Sequence, residues 1–487
     1  TWKVTPKLTL SLGLRYELTP PWYDTLGNLF TVDVPEIVGI PHAPASIEPF
    51  YVRQGNCTDP YAGVKIRWPQ LKVVCSNGLL PPALMQTDYT DYAPRFGIAY
   101  SPNAKWVIRT GFGIFYVQDI GNAVFDMSRT IAGVSRANAA VGSPTVTWAN
   151  AVPAGTATSD IRRPVGYVNS FDHRTGYTMQ YLLNIQRQFG QNLLVEIGYL
   201  GSQSRHLQGF QTVNESVPGT VGTPESRSPF PNWGIIQMVW DGGNAHYNAG
   251  SISVTKRYSS GLSLISSYTF SKSIDDTSGI RNQGYDTLYP QNAYCLNPCE
   301  RGLSAFDVGQ RFVASAVYDL PVGSGRALDI KNPFLNAFAG GWQFDGTLTL
   351  QSGLPQTLSL GGLDRASSGE GGYNRPDATG LSPYLSNPTP SLWFNPAAFT
   401  MQAAGSFGNL GRNAVVGPGI FALDFAAHKE FRIFEKQHLQ FRAEAFNVLN
   451  HPTWSNPNGN VISSSFGRIT GTRVAMRQIQ LALKYVF

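Results

Sequence analysis

Few residues in this chain have the types and spacing that chemistry requires. Asp172 and His173 are adjacent, a carboxylate beside an imidazole, and these are two of the three groups of a nucleophilic triad. No G-x-S-x-G, H-E-x-x-H or Walker A pattern accompanies them. We read the pair as a solvated turn; the competing reading, a hydrolase, requires that changing either residue abolish an activity. His428 shares a face with Asp424 on an alternating segment. It is either a ligand or proton contact or a side chain hydrogen-bonded to a neighbour, and we take the second. The cluster FGNLGR (407–412) has the glycines of a phosphate cradle, but no strand leads through it into a helix, so it reads as a loop. Four cysteines, Cys57, Cys75, Cys295 and Cys299, fall in two sequence-local pairs. A metal site would need a partnering His or a second nearby pair; two loop disulfides in an oxidising compartment need neither. The expectation is no catalytic residue, no metal and no cofactor.

The elements that hold these residues follow from composition and pattern. The chain has 487 residues, with 14% charged and 12% aromatic. Charge is well below the ordinary ~25%. Low charge with many aromatics argues against disorder and against a solvated coiled coil. No stretch approaches the roughly 18 consecutive apolar residues of a membrane helix. The balance of 37 basic against 31 acidic residues leaves a net charge of +6, without any basic run. Nucleic acid is therefore excluded as a partner, since phosphate contacts need concentrated positive charge.

Period-two alternation recurs along the whole length and marks about twelve strands. Leu8, Leu10, Leu12, Leu14 and Tyr16 form the first. Trp342, Phe344, Leu348 and Leu350 alternate with Gln343, Asp345, Thr347 and Thr349 in the ninth, and Ile479, Leu481, Leu483, Tyr485 and Phe487 form the last. Tight turns alternate with long segments rich in Pro, Gly, Ser and Asn, at 19–91, 117–176, 203–246, 271–306, 352–418 and 447–473; the connection 321–341 is intermediate. Short turns on one rim and long loops on the other are what a transmembrane barrel produces. Strands of roughly ten residues match a tilted transmembrane strand. The expected fold is an all-β, antiparallel up-and-down transmembrane β-barrel with long extracellular loops and a periplasmic C-terminus.

The two faces sort accordingly. One carries Leu, Ile, Val, Phe and Tyr, suited to lipid. The other carries Arg15, Glu17, Arg109, Glu196, Asp345, Asp424, Arg442 and Glu444, which should face the lumen, because a charge in mid-bilayer costs roughly 2–4 kcal/mol. Arg442 and Glu444 are expected to join an ion-pair network that braces the barrel or holds a plug. Trp106, Tyr116, Tyr199 and Trp342 end strands where interfacial girdles form. Trp148, Trp233, Trp240 and Trp393 lie in loops, where they serve either as ligand contacts, stacking on a glycan or another flat substrate, or as packing anchors. A β-sandwich with an aromatic core is the alternative fold.

Several segments resemble TonB-dependent outer-membrane receptors of the Oar-like group. They are WKVTPKLTLSLGLRYE (2–17), DYAPRFGIAYSP (91–102), VIRTGFGIFY (107–116), NIQRQFGQNLLVEIGYLGS (184–202), ERGLSAFDVGQRFVASAVYDLP (300–321), GGWQFDGTLTLQSGLP (340–355), WFNPAAF (393–399) and LQFRAEAFNVLNHPTW (439–454). RQIQLALKYVF (477–487) resembles the signal read by the barrel assembly machinery. The resemblance implies a barrel of about 22 strands plugged by an N-terminal domain. It also implies uptake driven through TonB, which contacts a segment before the plug. With Thr1 neither a start methionine nor a signal peptide, residues 1–487 are expected to be the C-terminal portion of such a barrel, about twelve strands, with plug and N-terminal domains absent. The expected partners are outer-membrane lipid, the assembly machinery, an unknown transported ligand, and TonB only through the missing segments. The alternative function is a passive porin or a structural or adhesive outer-membrane barrel. A rim-site hydrolase is the third class.

Overall fold

The structure is a computed structural model that describes residues 1–34, 48–63, 71–117, 121–128, 130, 163–279, 289–369, 373–434 and 437–487. Thirteen strands run in one antiparallel path, each paired with the next in sequence. They are β1 (Trp2–Thr5), β2 (Leu8–Tyr16), β3 (Tyr92–Asn103), β4 (Trp106–Tyr116), β5 (Tyr177–Phe189), β6 (Leu193–Thr212), β7 (Ile236–Ser259), β8 (Leu262–Asp275), β9 (Gln310–Asp319), β10 (Trp342–Gln351), β11 (Ile420–Arg432), β12 (His438–Phe446) and β13 (Gln478–Val486). Two short strands join the sheet off this path: Gly166–Asn169 on β7 and Gly302–Leu303 on β8. Among the described residues β1 and β13 have one neighbour each, so the sheet is open rather than closed on itself.

The twelve alternating segments are strands β2 to β13, and β1 is the additional one. At four residues it is too short for a period to show. The segment 203–246 differs from its reading as a loop. β6 continues to Thr212 and β7 begins at Ile236, in paired register from Thr212 with Gln237 down to Leu193 with Lys256. Register shifts between Ser204 and Leu207 and between Leu207 and Gly209 break the alternation that would have marked these strands. At 20 and 24 residues, and about 3.3 Å per residue, both far exceed a bilayer.

The register aligns the apolar side chains across the whole sheet. Leu10 pairs with Ile98, Ile108 with Ile185, Ile185 with Ile197, and Ile197 with Ile252. Further on, Leu348 pairs with Leu423 and Phe441 with Leu483. This face is bare: Leu12 is 71% exposed and Leu481 67%. A sandwich would cover it, and water would penalise so large an apolar patch, whereas lipid is its natural solvent. The buried cores lie instead in the long connections at one rim.

Tight turns join β3–β4, β5–β6, β7–β8 and β11–β12 at the opposite rim. The intermediate β9–β10 connection there holds a short helix, Pro333–Ala339. Asn332 caps it, accepting from Phe334 N and Leu335 N, and Phe334, Leu335 and Phe338 remain exposed.

Candidate ligand face: polar wall and loop cap

The polar wall is the face opposite the lipid-facing one. Arg15, Arg109, Glu196, Asp345, Asp424, Arg442 and Glu444 all occupy its register positions, and Glu17 follows directly after β2. Arg15 Nε lies 2.9 Å from Glu17 Oε1. Arg109 donates to Gln186 Oε1 at 2.8 Å; Gln186 and Asn184 both donate to Glu196, the latter at 2.6 Å. On the other side of the wall, Asp345, Asp424 and Glu444 border a hollow of about 170 Å³ with Thr347. His428 pairs not with Asp424 but with Asp345, Nε2 to Oδ2 at 2.5 Å. Asp424 accepts from Asn447 N at 2.8 Å. Among the described residues no ion pair joins Arg442 directly to Glu444. Two residues apart on one strand, their side chains stand nearly 7 Å from base to base.

The long connections form a cap with two cores. One gathers Phe30, Val32, Tyr51, Met127 and Trp233 from three connections, with Ile236 at the start of β7; the other gathers Leu358, Phe394, Phe399, Leu410, Val415 and Phe466. Cys57 is bonded to Cys75 and Cys295 to Cys299, each pair closing a loop within its own connection. Between connections the ties are buried ion pairs. Arg375 grips Glu300 through both guanidinium ends, at 2.9 and 2.8 Å. Arg412 pairs with the Asp275 carboxylate and donates to Glu300 O at 2.9 Å and Ser278 Oγ at 3.1 Å. Gln291 adds a donor to Gly408 O at 2.8 Å and an acceptor for Arg375 N at 2.7 Å. A Cβ on Gly408 would lie 1.9 Å from Arg375 O, so its glycine permits a close backbone approach. The cluster 407–412 is thus a loop, as read, and its arginine is an internal tie.

The tryptophans divide. Trp233 is not an outer contact: it is 1% exposed and packs edge-on to Tyr51, with centroids 5.2 Å apart. An indole in a core cannot stack on an incoming ligand, so the packing-anchor alternative describes it. Trp393 packs against the second core, and Trp240 is half-buried against Gly209 and Gly242. Trp148 lies outside the described residues.

The Asp172–His173 pair also differs from its reading as a solvated turn. Asp172 is exposed, but His173 is buried, with Nδ1 2.7 Å from Asp241 Oδ2. Asp241 is 68 positions away, which sequence spacing could not reveal. Nearby, burial pushes the Asp91 carboxyl above its ordinary range; Asp88 and Glu17 add to the shift, while Thr175 and His173 oppose it. The folded state therefore holds this proton to higher pH than the unfolded chain. Stability contributed here is greatest in acid and falls as pH rises through the raised value. Asp91→Asn is expected to stabilise the cap at neutral pH and to flatten that dependence. Chemical denaturation at about pH 4 and pH 7 measures it; an asparagine variant weaker than the parent at the higher pH contradicts the assignment.

Sequence reading missed Asp275, Glu300, Gln291 and Arg375. Glu300 does stand at the head of one quoted segment, ERGLSAF, and that was the available signal.

The outer membrane beta barrel domain family matches residues 1–480. No curated protein matches the chain. Among solved structures, the outer membrane transporter YddB from Escherichia coli is similar at 11% identity and a TM-score of 0.46, over 82% of this chain and 41% of that one. The ferric-catecholate import receptor Fiu from E. coli K12 is similar at 10% identity and 0.40, over 100% and 43%. The siderophore receptor PiuA from Acinetobacter baumannii is similar at 8% identity and 0.43, over 100% and 42%. The chain spans less than half the length of each. With the family matched over nearly its whole length, and with an apolar face outward, a polar wall behind it and long connections on one rim, the chain belongs to the outer membrane beta barrel domain family.

Proposed function

We propose that the chain is the C-terminal portion of a TonB-dependent receptor barrel that captures a ligand at its loop cap and passes it along the polar wall. The observation that carries this reading is the built cap. Two buried cores and two buried ion pairs cover one rim, where a passive pore needs only short or open loops. The long connections are then extracellular and the C-terminus periplasmic. Ile479, Leu481, Leu483 and Tyr485 lie on the lipid-facing side of β13 and Phe487 follows, an arrangement suited to the assembly machinery. The edges of β1 and β13 call for further strands, because hydrocarbon leaves an unpaired edge without hydrogen-bond partners. The reading predicts that the eight charged wall residues line the passage or hold a plug.

Peptide mapping of the native protein from purified outer membranes tests it. Peptides from a plug and a TonB-contacting segment upstream of Thr1 are expected. A mature protein that begins near Thr1 would overturn the coupled-receptor reading and leave the porin or adhesive barrel.

A further inference from the structure

The connection from β9 to β10, at the rim of short turns, is a built element. Its first half folds back on itself: Leu328 N donates to Pro321 O at 2.8 Å, Gly323 N to Leu328 O at 3.0 Å and Gly325 N to Asp329 Oδ1 at 3.0 Å. The helix Pro333–Ala339 is tied to this fold through Asn336, whose Oδ1 accepts from Ser324 N at 2.8 Å. At 3.6 residues per turn, Phe334, Leu335 and Phe338 share the face turned away from Asn336. They are 71%, 57% and 61% exposed, and the rings of Phe334 and Phe338 lie 5.0 Å apart. A contiguous apolar patch held bare by a capped, anchored helix marks an interaction surface.

Two contacts fix where this surface lies. Trp342 opens β10 on the lipid-facing side, and its Nε1 donates to Phe338 O at 2.8 Å. Lys429 pairs with Trp342 from β11 on that same side, and its Nζ donates to Gly340 O. The ammonium lies 5.5 Å from the Trp342 ring and 5.1 Å from the Phe431 ring. The end of the helix is therefore continuous with the lipid-facing side of the sheet. Its level follows from strand length. β10 has 10 residues. At about 3.3 Å per residue and a tilt of about 45°, it rises about 23 Å, no more than an apolar band of about 25 Å. Trp342 thus stands at the edge of the band and holds the helix there. Charge agrees with that level. Arg187, Lys256 and Lys429 take lipid-facing register positions near this rim, and no Asp or Glu among the paired residues there does. Lys331 stands just before the helix. Cations and aromatic rings at one level suit the phosphates of lipid headgroups.

We propose that this helix is an interfacial anchor: it lies among the headgroups of the phospholipid leaflet at the short-turn rim, with Phe334, Leu335 and Phe338 turned into the acyl boundary, and seats the barrel at a fixed depth. The proposal rests on the barrel spanning a membrane and not on the transport of any ligand. The native full-length protein, carrying one introduced cysteine at a time, is labelled with a nitroxide and reconstituted into vesicles of phosphatidylethanolamine and phosphatidylglycerol. Power saturation against oxygen and a water-soluble nickel chelate then reads the depth of each label. Leu348→Cys, on the lipid-facing side, and Thr347→Cys, on the polar wall, are the references. The Leu335→Cys label is expected at about 5–10 Å below the headgroup boundary, shallower than Leu348 and unlike the water-exposed Thr347. Adding Phe334→Ser and Phe338→Ser should move the Leu335 label out into water and leave the Leu348 label where it was. All three helix positions are at the surface, so these variants spare the fold. A Leu335 label open to the nickel chelate overturns the proposal, since the helix then hangs in water. A label shielded from both reagents overturns it in favour of a protein partner or a second copy. So does a label that stays at depth after both rings are removed. If the Leu348 and Thr347 labels read alike, the membrane-spanning reading falls and takes the anchor with it; if they differ as expected, failure at Leu335 sinks the anchor alone.

Discussion

Arg412→Ala is expected to loosen the cap by about 3–5 kcal/mol while leaving the strands paired. The guanidinium is buried against an equally buried Asp275 carboxylate and also holds Glu300 O and Ser278 Oγ. Truncation strands the Asp275 charge in a site that water does not reach, and that penalty makes removing one partner costly. Hydrogen exchange resolved by segment measures it. Protection should fall in 289–309 and 352–369 and hold in β9 and β10. Replacing both partners, Arg412→Met with Asp275→Leu, should recover most of the loss, because no charge is then left buried. Unchanged exchange in the single variant would show that the pair carries no structural weight.

The second large effect sets adjacent residues of β10 against each other. Leu348 lies on the lipid-facing side, paired with Leu423 and Ala314, and Thr347 lies on the polar wall, paired with Asp424. Leu348→Arg is expected to cost about 2–4 kcal/mol. Thr347→Arg should cost little, since it faces water and three carboxylates, Asp345, Asp424 and Glu444. Denaturant unfolding in lipid vesicles compares them directly. Equal costs would mean that the two faces do not divide lipid from lumen.

The strands were legible because alternation is a local signal, and a barrel repeats it against each neighbour in turn. Leu348 announces its face through Phe344 and Leu350 alone. The signal fails where the local period fails. β1 offers four residues, and the upper parts of β6 and β7 slip register near Leu207. The cap was illegible for another reason. Trp233 meets Tyr51, His173 meets Asp241, and Arg375 meets Glu300 75 residues away, so no window of sequence contains both halves of a contact. The disulfides are the exception, because each closes a short loop, of 18 and 4 residues.

That contrast in reach has a consequence in time. Every sheet pairing on the main path joins strands adjacent in the chain, so the wall can be laid down hairpin by hairpin. The cap cannot. The segment 352–419 must meet two earlier connections at once, through Arg412 to Asp275, 137 residues back, and through Ser367 to Arg227, 140 residues back at 2.6 Å. Contacts of such separation form late, after the entropy of closing the intervening chain has been met. Until β10 and β11 have docked, the earlier loops lack their counterpart and stay open to proteases. Closure of the cap thus follows the docking of β10 and β11, and protease resistance of these loops would report that the wall beneath them has been laid down at least that far.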